Sequence, residues 1–376
     1  ILVHIPSYAT SASRPPLPCC SMTPVSSAAS CGSGLCENRN CVEYVAGVHH
    51  GSVNKTSPYF KAKSNLLLQH ARLGDMGERL LYDACRRGRI RGISLTSPNL
   101  PCNCRVCNLC KNKRSNFKSV EKSPAQIAYE DGLETCTMDF VGPMRTKSIG
   151  GCIGAHIAVY LGCRTQSSKQ PVRFIKAYPV RTRSQASLCV EDFTCLLKAR
   201  YNITVRHWHF DNAKEYDCGG IHALQRAYSF YSSYSPAYTP IRNREAESGV
   251  KVISQITLCL LTRGRAPSWA WSLAMKYAAR IWNAVAPANG YSPHELISGY
   301  VPDVSMFRVF WCDCFPAYLP EEGRGKFDLK SRGSLDKPCK FVGFDDTHPD
   351  VWSYWDPIRR RVDMSPHMRF DESAFD

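Results

Sequence analysis

Two spacings of apolar residues organise the middle of this chain. Runs rich in β-branched and aromatic residues, each ending at turn residues, predict strands at 134–141, 154–162, 172–180 and 204–210. Apolar residues three and four positions apart predict helices at 184–201, at 268–284 and around Glu247. This mixed order of strands and helices indicates an α/β fold in which helices cover a sheet.

The two ends of the chain follow other patterns. Residues 1–60 are rich in Ser, Pro, Ala and Gly without any period, which predicts a linker or disorder. Residues 61–122 become helical and basic, and residues 305–376 hold short β-like runs between turn signals. We therefore predict a small helical N-terminal domain (61–122), an α/β core (128–285) and a small all-β C-terminal domain.

Composition narrows the partners and the compartment. The chain has 376 residues and a net charge of +16, and an excess of this size points to a polyanion, most commonly nucleic acid, against the alternative of a merely soluble basic protein. No run reaches the ~18 apolar residues of a membrane span. Several of the 20 cysteines stand singly in apolar runs, which favours a reducing, intracellular compartment. The chain starts without Met or a signal peptide, so we expect a segment of a longer polyprotein.

Three acidic residues stand where a metal site would need them. Asp139 ends an apolar run that is closed by a Gly-Pro turn, Asp211 follows an aromatic run, and Glu247 lies just inside a helical pattern. Two carboxylates at strand ends and one on a nearby helix can converge on a pair of divalent cations, as phosphodiester chemistry requires. The alternative is three unrelated surface acids, and Glu245 competes with Glu247 for the third position.

The motifs around these acids resemble the catalytic core of retroviral and retrotransposon integrases, and more narrowly the copia type. The matching stretches are Asp139-Phe-Val-Gly-Pro143, Asp211-Asn-Ala-Lys-Glu-Tyr216 and Thr239-Pro-Ile-Arg-Asn-Arg-Glu-Ala-Glu247. Further matches continue to Met368-Arg-Phe-Asp-Glu372, so the resemblance covers roughly residues 66 to 376.

This resemblance implies a fold and an activity. It implies a ribonuclease-H-like core with a mixed sheet flanked by helices, a zinc-binding helical N-terminal domain and a small β C-terminal domain. Asp139, Asp211 and Glu247 would be the catalytic residues and would hold Mg²⁺ or Mn²⁺. The reaction would be 3′-end processing and DNA strand transfer, performed by a homo-oligomer on element ends and target DNA. No membrane is involved, and the location would be the nucleus or a cytoplasmic particle.

A zinc site is the second implication. His70-Ala-Arg-Leu-Gly-Asp75 and Cys107-Asn-Leu-Cys110 resemble the family's zinc module, and two thiolates at this spacing can reach one tetrahedral ion. Asp75 stands where the family has a second His, and Asp is a weaker zinc ligand. Cys102 and Cys104 are close enough to offer a substitute thiolate. Cysteines without a metal remain the alternative.

Basic residues follow the zinc motif directly. Side chains of this kind contact phosphates and supply salt-dependent affinity that does not depend on sequence. A solvated surface is the alternative interpretation. The predicted DNA-binding residues are Lys111, Lys113, Arg114 and Lys118.

Several positions depart from the family pattern. Ala213-Lys214 replaces a glycine-rich turn, and Arg244-Glu245 replaces Gly plus an apolar residue. Gly249 inside a helix should cost about 1 kcal/mol relative to Ala. The alternative function is therefore a decayed or co-opted integrase copy that acts only as a DNA-binding protein. A nuclease on the same fold, cutting without joining, is a third possibility.

Overall fold

A computed structural model describes much of the region that the resemblance covers. The described residues all belong to one compact unit, Ser57–Asp376. The predicted linker at 1–60 lies outside them. The described residues are 66–95, 104–111, 134–162, 172–235, 244–285, 290–318, 329–345, 348 and 350–375.

A five-stranded mixed sheet forms the centre of the fold. With the strands numbered along the chain, their order in the sheet is β3-β2-β1-β4-β5. The pairs β1–β2 and β2–β3 are antiparallel, whereas β1–β4 and β4–β5 are parallel. This arrangement confirms the expected ribonuclease-H-like core and the four predicted strands. The polar β5 was not predicted, because four residues with two serines give no apolar alternation. The strands are β1 (Thr135–Val141), β2 (Gly154–Gly162), β3 (Val172–Val180), β4 (His207–Phe210) and β5 (Tyr231–Tyr234).

Helices cover both faces of this sheet. Phe193 of the predicted helix packs with Trp208 and Met138 in the core of one face, while Ile253 and Ile157 lie in the core of the other. Among the described residues no helix is long and apolar enough to cross a membrane. The first face carries α4 (Ala186–Tyr201) and α5 (Gly219–Tyr228), and the second carries α6 (Arg244–Arg263) and α7 (Trp271–Ala284).

A second, fully antiparallel sheet follows near the C-terminal end. Its order is β10-β6-β7-β8-β9, which confirms the predicted small all-β region. Short helices complete the described part: α1 (Leu66–Arg72), α2 (Glu78–Arg86), α3 (Arg105–Cys110) and α8 (Pro293–Ser298). The strands of this sheet are β6 (Asp313–Pro316), β7 (Cys339–Phe344), β8 (Trp352–Asp356), β9 (Arg361–Ser365) and β10 (Met368–Asp371).

One hydrophobic core joins the three segments that the sequence separates. Leu81 of α2, Ile256 of α6, Tyr277 of α7 and Phe341 of β7 all belong to the same buried cluster. The Tyr277 hydroxyl also donates a hydrogen bond to the carbonyl oxygen of Arg308, 2.9 Å away. The division into domains at 61–122, 128–285 and 305–376 stays a prediction, since burial alone does not separate them.

Gly249 allows α6 to lie unusually close to the sheet. A Cβ atom at this position would lie 2.6 Å from Cγ2 of Val159 and 3.7 Å from Cγ2 of Ile157, both on β2. Contacts below 3 Å require neighbours to move, and the interior is too densely packed to yield easily. The helix-propensity cost expected for Gly249 is therefore outweighed by the close contact that only glycine permits.

We expect Gly249→Ala to destabilise the protein by about 1–3 kcal/mol, although alanine is the better helix former. Gly219, the first residue of α5, is the matched control, since a Cβ there would meet nothing within 4 Å. Gly219→Ala should leave the thermal unfolding midpoint unchanged or raise it slightly. A higher midpoint for Gly249→Ala would show that α6 does not depend on this close approach.

Candidate metal centres at the sheet edge and beside the N-terminal helices

Asp139 and Asp211 lie side by side toward the carboxyl ends of two neighbouring strands in the middle of the central sheet, the region called the sheet edge below. Met138 of β1 pairs with Phe210 of β4, so the next residue of each parallel strand is one of the two acids. Neighbouring strands are about 4.8 Å apart. Asp139 is also the cross-strand partner of Ile157, whose side chain lies in the core that α6 covers. The side chain of Asp139 therefore lies on the α6 face of the sheet. The register thus brings two of the predicted acids together.

Glu247 reaches the same region from the first turn of α6. Its charge contributes to raising the pKa of Asp139, and its side chain is exposed. The rival acid Glu245 is buried and forms an ion pair with Arg173 of β3, at 2.6 Å. Glu245 is therefore occupied elsewhere, and Glu247 is the acid on α6 that accompanies Asp139.

The electrostatics show that these acids crowd one another. Burial raises the pKa of Asp139 to about 6, and the charges of Asp211, Glu247 and Glu215 add to the rise. Burial also raises the pKa of Asp211, and the charge of Glu215 adds to the rise. The hydrogen bond that the Ala213 N–H donates to the Asp211 carboxylate lowers the pKa. Glu215 is thus a fourth acid that the sequence interpretation missed, although it lies within the quoted motif, four residues after Asp211.

The three carboxylates are not packed tightly enough to enclose a single ion. Among the described residues, the group of His, Cys, Asp or Glu donors lying within 4.8 Å of one another does not include these acids, so they do not enclose one ion. Two ions about 3.5–4 Å apart need no such mutual contact between the ligands of different ions. Carboxylate oxygens are also the donors that Mg²⁺ prefers.

A second group of donors lies where α1 and α3 meet. His70, Asp75, Cys104 and Cys107 place one donor atom each within 4.8 Å of all the others. Nε2 of His70 lies 3.1 Å from Oδ1 of Asp75 and 3.3 Å from Sγ of Cys107, and Sγ of Cys104 lies 3.4 Å from Oδ1 of Asp75. Tetrahedral zinc places its ligand atoms about 3.3–3.8 Å apart, so this donor set fits zinc.

Two features orient this group before any metal binds. Nδ1 of His70 lies 2.5 Å from the carbonyl oxygen of Met76, which turns Nε2 toward the cluster. Asp75 adopts a positive φ of 57°, which folds its carboxylate back over α1. Burial alone would lower the pKa of His70, but the imidazole donates to the Asp75 carboxylate and hydrogen-bonds with Cys107, and these contacts raise its pKa to about 10.

Cys104, rather than the predicted Cys110, completes the group. Sγ of Cys110 lies 3.4 Å from Oγ1 of Thr262 on α6, outside the cluster. The chain contains two overlapping Cys-x-x-Cys pairs, 104–107 and 107–110, and the pattern alone does not say which pair converges. Cys102 lies outside the described residues.

Two cations surround Asp75 and change the interpretation of the basic run. The guanidinium of Arg263 pairs with the Asp75 carboxylate and lies 3.0 Å from Sγ of Cys104. Nζ of Lys111 donates to the carbonyl oxygen of Asp75, so this half-buried residue has a partner within the protein, and its contact with DNA stays a prediction. The other predicted DNA-binding residues, Lys113, Arg114 and Lys118, lie outside the described residues.

Known proteins resemble this chain in sequence. Residues 312–376 match the family described as the retroviral polymerase SH3-like domain. Over 205 residues the chain is 28% identical to the "Retrovirus-related Pol polyprotein from transposon RE1" of Arabidopsis thaliana. This match covers 54% of the chain and 13% of that polyprotein, so the chain spans only a small part of its relative.

Two solved structures share parts of the fold at low similarity. The catalytic core domain of BIV integrase has a TM-score of 0.31 and 19% identity, over 44% of this chain and 94% of that one. A simian T-cell lymphotropic virus intasome in complex with PP2A regulatory subunit B56 gamma gives 0.35 and 10%, over 71% and 87%. Both scores are too low to bear on function. The sequence matches do bear on kinship: the chain is homologous to a part of the Pol polyprotein of transposon RE1, and residues 312–376 match the retroviral polymerase SH3-like domain.

Proposed function

We propose that this chain is an integrase that processes DNA 3′ ends and joins them to target DNA. The observation that carries the proposal is the register of two parallel strands, which sets Asp139, inside β1, beside Asp211, directly after β4, with Glu247 on the first turn of α6 close enough for its charge to affect Asp139. Three carboxylates on rigid elements at one sheet edge suit phosphodiester transfer, because the substrate is an anion that needs concentrated positive charge.

Each acid has a separate part in the proposed reaction. Bound Mg²⁺ or Mn²⁺ would neutralise charge on the phosphodiester and activate the attacking hydroxyl. Asp139 and Asp211 would hold these ions from the rigid sheet edge, and Glu247 would complete the site from its exposed position on α6. The N–H of Ala213 donates to Oδ1 of Asp211 at 3.3 Å and keeps that carboxylate oriented.

DNA is the proposed partner, and its phosphates would meet a basic protein. The net charge of +16 supports salt-dependent binding, and Arg79 and Arg86 of α2 are exposed. Integrases act on two DNA ends together, so we propose a homo-oligomer. The work would be done inside the cell, in the nucleus or in a cytoplasmic particle.

We expect Asp139→Asn to abolish both Mn²⁺-dependent stabilisation and strand joining while DNA binding persists. In EDTA the same change should raise the thermal midpoint, because one of four crowded carboxylates loses its charge. Wild-type protein should gain about 2.7 kcal/mol at a Mn²⁺ concentration 100 times the Kd. The measurements are thermal unfolding with and without Mn²⁺, and a joining assay with oligonucleotides of the element's ends.

Glu245→Gln is the matched control for this experiment. It removes an acid from the same helical turn, but one that pairs with Arg173, so the difference with and without Mn²⁺ should persist. If Asp139→Asn keeps its Mn²⁺ response, the acids do not hold the cation. If wild-type protein binds DNA and Mn²⁺ but never joins strands, the chain is a decayed copy that acts only in binding.

We also propose that zinc binds His70, Asp75, Cys104 and Cys107 and stabilises the N-terminal helices. Wild-type protein should purify with about one zinc per chain, a result that metal analysis measures directly. Cys107→Ser should lose the zinc, because its thiolate is one of the four donors.

Cys110→Ser separates this ligand set from the one that the sequence predicted. The Cys110 thiol forms a hydrogen bond with Thr262 and does not belong to the donor cluster, so its replacement should leave the zinc content unchanged. Zinc loss in Cys110→Ser with retention in Cys104→Ser would restore the predicted set.

A further inference from the structure

Arg183 places a positive charge at the edge of the sheet where the acids lie. It opens the 3₁₀ turn Arg183–Gln185, which leads from β3 into α4. Its guanidinium lies 3.7 Å from Oε1 of Glu215, and its charge lowers the pKa of Asp211, against the effect of burial. The proposed metal chemistry uses only carboxylates, so this cation has another role.

A buried histidine holds the backbone of Arg183 in place. His156 of β2 is fully buried, and its Nε2 lies 3.0 Å from the carbonyl oxygen of Arg183. Its Nδ1 lies 2.9 Å from the hydroxyl of Tyr216. Because a carbonyl oxygen only accepts, Nε2 must donate and the Tyr216 hydroxyl donates to Nδ1. One imidazole thus ties the Arg183 turn to the loop that follows Asp211.

An aromatic ring positions the guanidinium itself. Arg183 lies over the ring of Phe140, with 4.4 Å between the guanidinium carbon and the ring centroid. Phe140 follows Asp139 directly in β1. About half of the Arg183 side chain, 52%, is still exposed. Phe140 lies on the sheet face opposite Asp139, because successive side chains of a strand alternate. The ring and Glu215 therefore hold the guanidinium near Asp211 and leave it half open to solvent, as a group that contacts a ligand must be.

Stability alone does not explain this arrangement. The Arg183–Glu215 pair is long at 3.7 Å and half open to water, and exposed ion pairs of that kind contribute little to folding. Glu215 is better understood as a group that orients the guanidinium.

The two backbone amides that precede the Arg183 turn are not free donors. Oε1 of Gln185 accepts hydrogen bonds from the N–H of Arg181, at 2.8 Å, and of Thr182, at 3.2 Å. These amides already have a partner within the turn. The half-exposed guanidinium of Arg183 is a donor near Asp211 that is not used up within the turn.

We propose that Arg183 binds a non-bridging oxygen of the DNA strand within one nucleotide of the phosphate held at the acids. A phosphodiester approaching four carboxylates meets like charge, and a fixed guanidinium beside them offsets that repulsion. Its planar fork also matches two phosphate oxygens, which lysine cannot do. This inference rests on the proposed function and adds to it a residue that positions the substrate.

The test uses branched DNA that mimics a strand-transfer product, because its junction fixes which phosphate lies at the acids. Binding of the full chain is measured in Ca²⁺ by fluorescence anisotropy, with a single neutral methylphosphonate placed at each phosphate around the junction in turn. Arg183→Gln should weaken binding of unmodified DNA about 5- to 30-fold, the loss expected for one charge-assisted phosphate contact. Arg183→Lys should recover part of that loss.

The methylphosphonate series separates contact from structure. One methylphosphonate within a nucleotide of the junction should weaken binding by the wild-type protein by a similar factor. The same methylphosphonate should not weaken binding by the Arg183→Gln variant further, because the modification and the substitution remove the same contact. Arg181→Gln is the control from the same turn, and it should stay within about twofold of wild type. A merely structural role would make the two losses add.

The possible failures are distinguishable. If wild-type protein joins strands in Mn²⁺ but Arg183→Gln binds like wild type, or the two losses add, Arg183 does not contact the strand and the proposed function stands. If wild-type protein neither binds the branched DNA nor joins strands, both ideas are overturned. Equal thermal midpoints of the variants and the wild type exclude misfolding as the cause of a loss.

Discussion

The close contact of α6 with the central sheet is the constraint on which the candidate site depends. Gly249 lets the helix approach β2 until its backbone meets Val159, where any side chain would collide. Glu247 lies two residues earlier on the same helix, and Ile157, also near Gly249, is the strand partner of Asp139. The packing distance therefore sets how near the third acid comes to the first. A glycine that looks like a defect in a helix thus permits the close packing of the helix that carries Glu247.

The same helix also reaches the zinc candidate. Its first turn carries Glu247, and its last residue, Arg263, pairs with Asp75 in the N-terminal cluster. Sixteen residues of helix separate these two positions by roughly 24 Å. A rigid element of that length links the two candidate metal centres, and the hydrophobic core shared by α2, α6, α7 and β7 reinforces the link.

The negative charges of the carboxylates at the sheet edge are offset by nearby groups and not by the net positive charge of the whole chain. Asp139, Asp211 and Glu215 crowd together, and burial with mutual repulsion raises the pKa of Asp139 to about 6. Such crowding is costly for folding, and a site that binds cations can tolerate it because bound cations remove the cost. Arg183, anchored through His156, is a cation of the protein near Asp211 and Glu215.

The sequence by itself predicted four of the five central strands, three of the core helices and the three candidate acids, because period and turn residues act locally and the motifs are contiguous. Tertiary structure decided the rest. It showed what Glu245, the rival of Glu247, does instead: it pairs with Arg173, a contact that only packing reveals. It chose Cys104 over Cys110, since two overlapping pairs have the same spacing and only the orientation of α3 separates them. It showed that Glu215 and Arg183 lie near Asp211, and that Gly249, expected to weaken its helix, permits close packing against the sheet. Contacts between segments far apart in the chain cannot be recognised from a local sequence pattern.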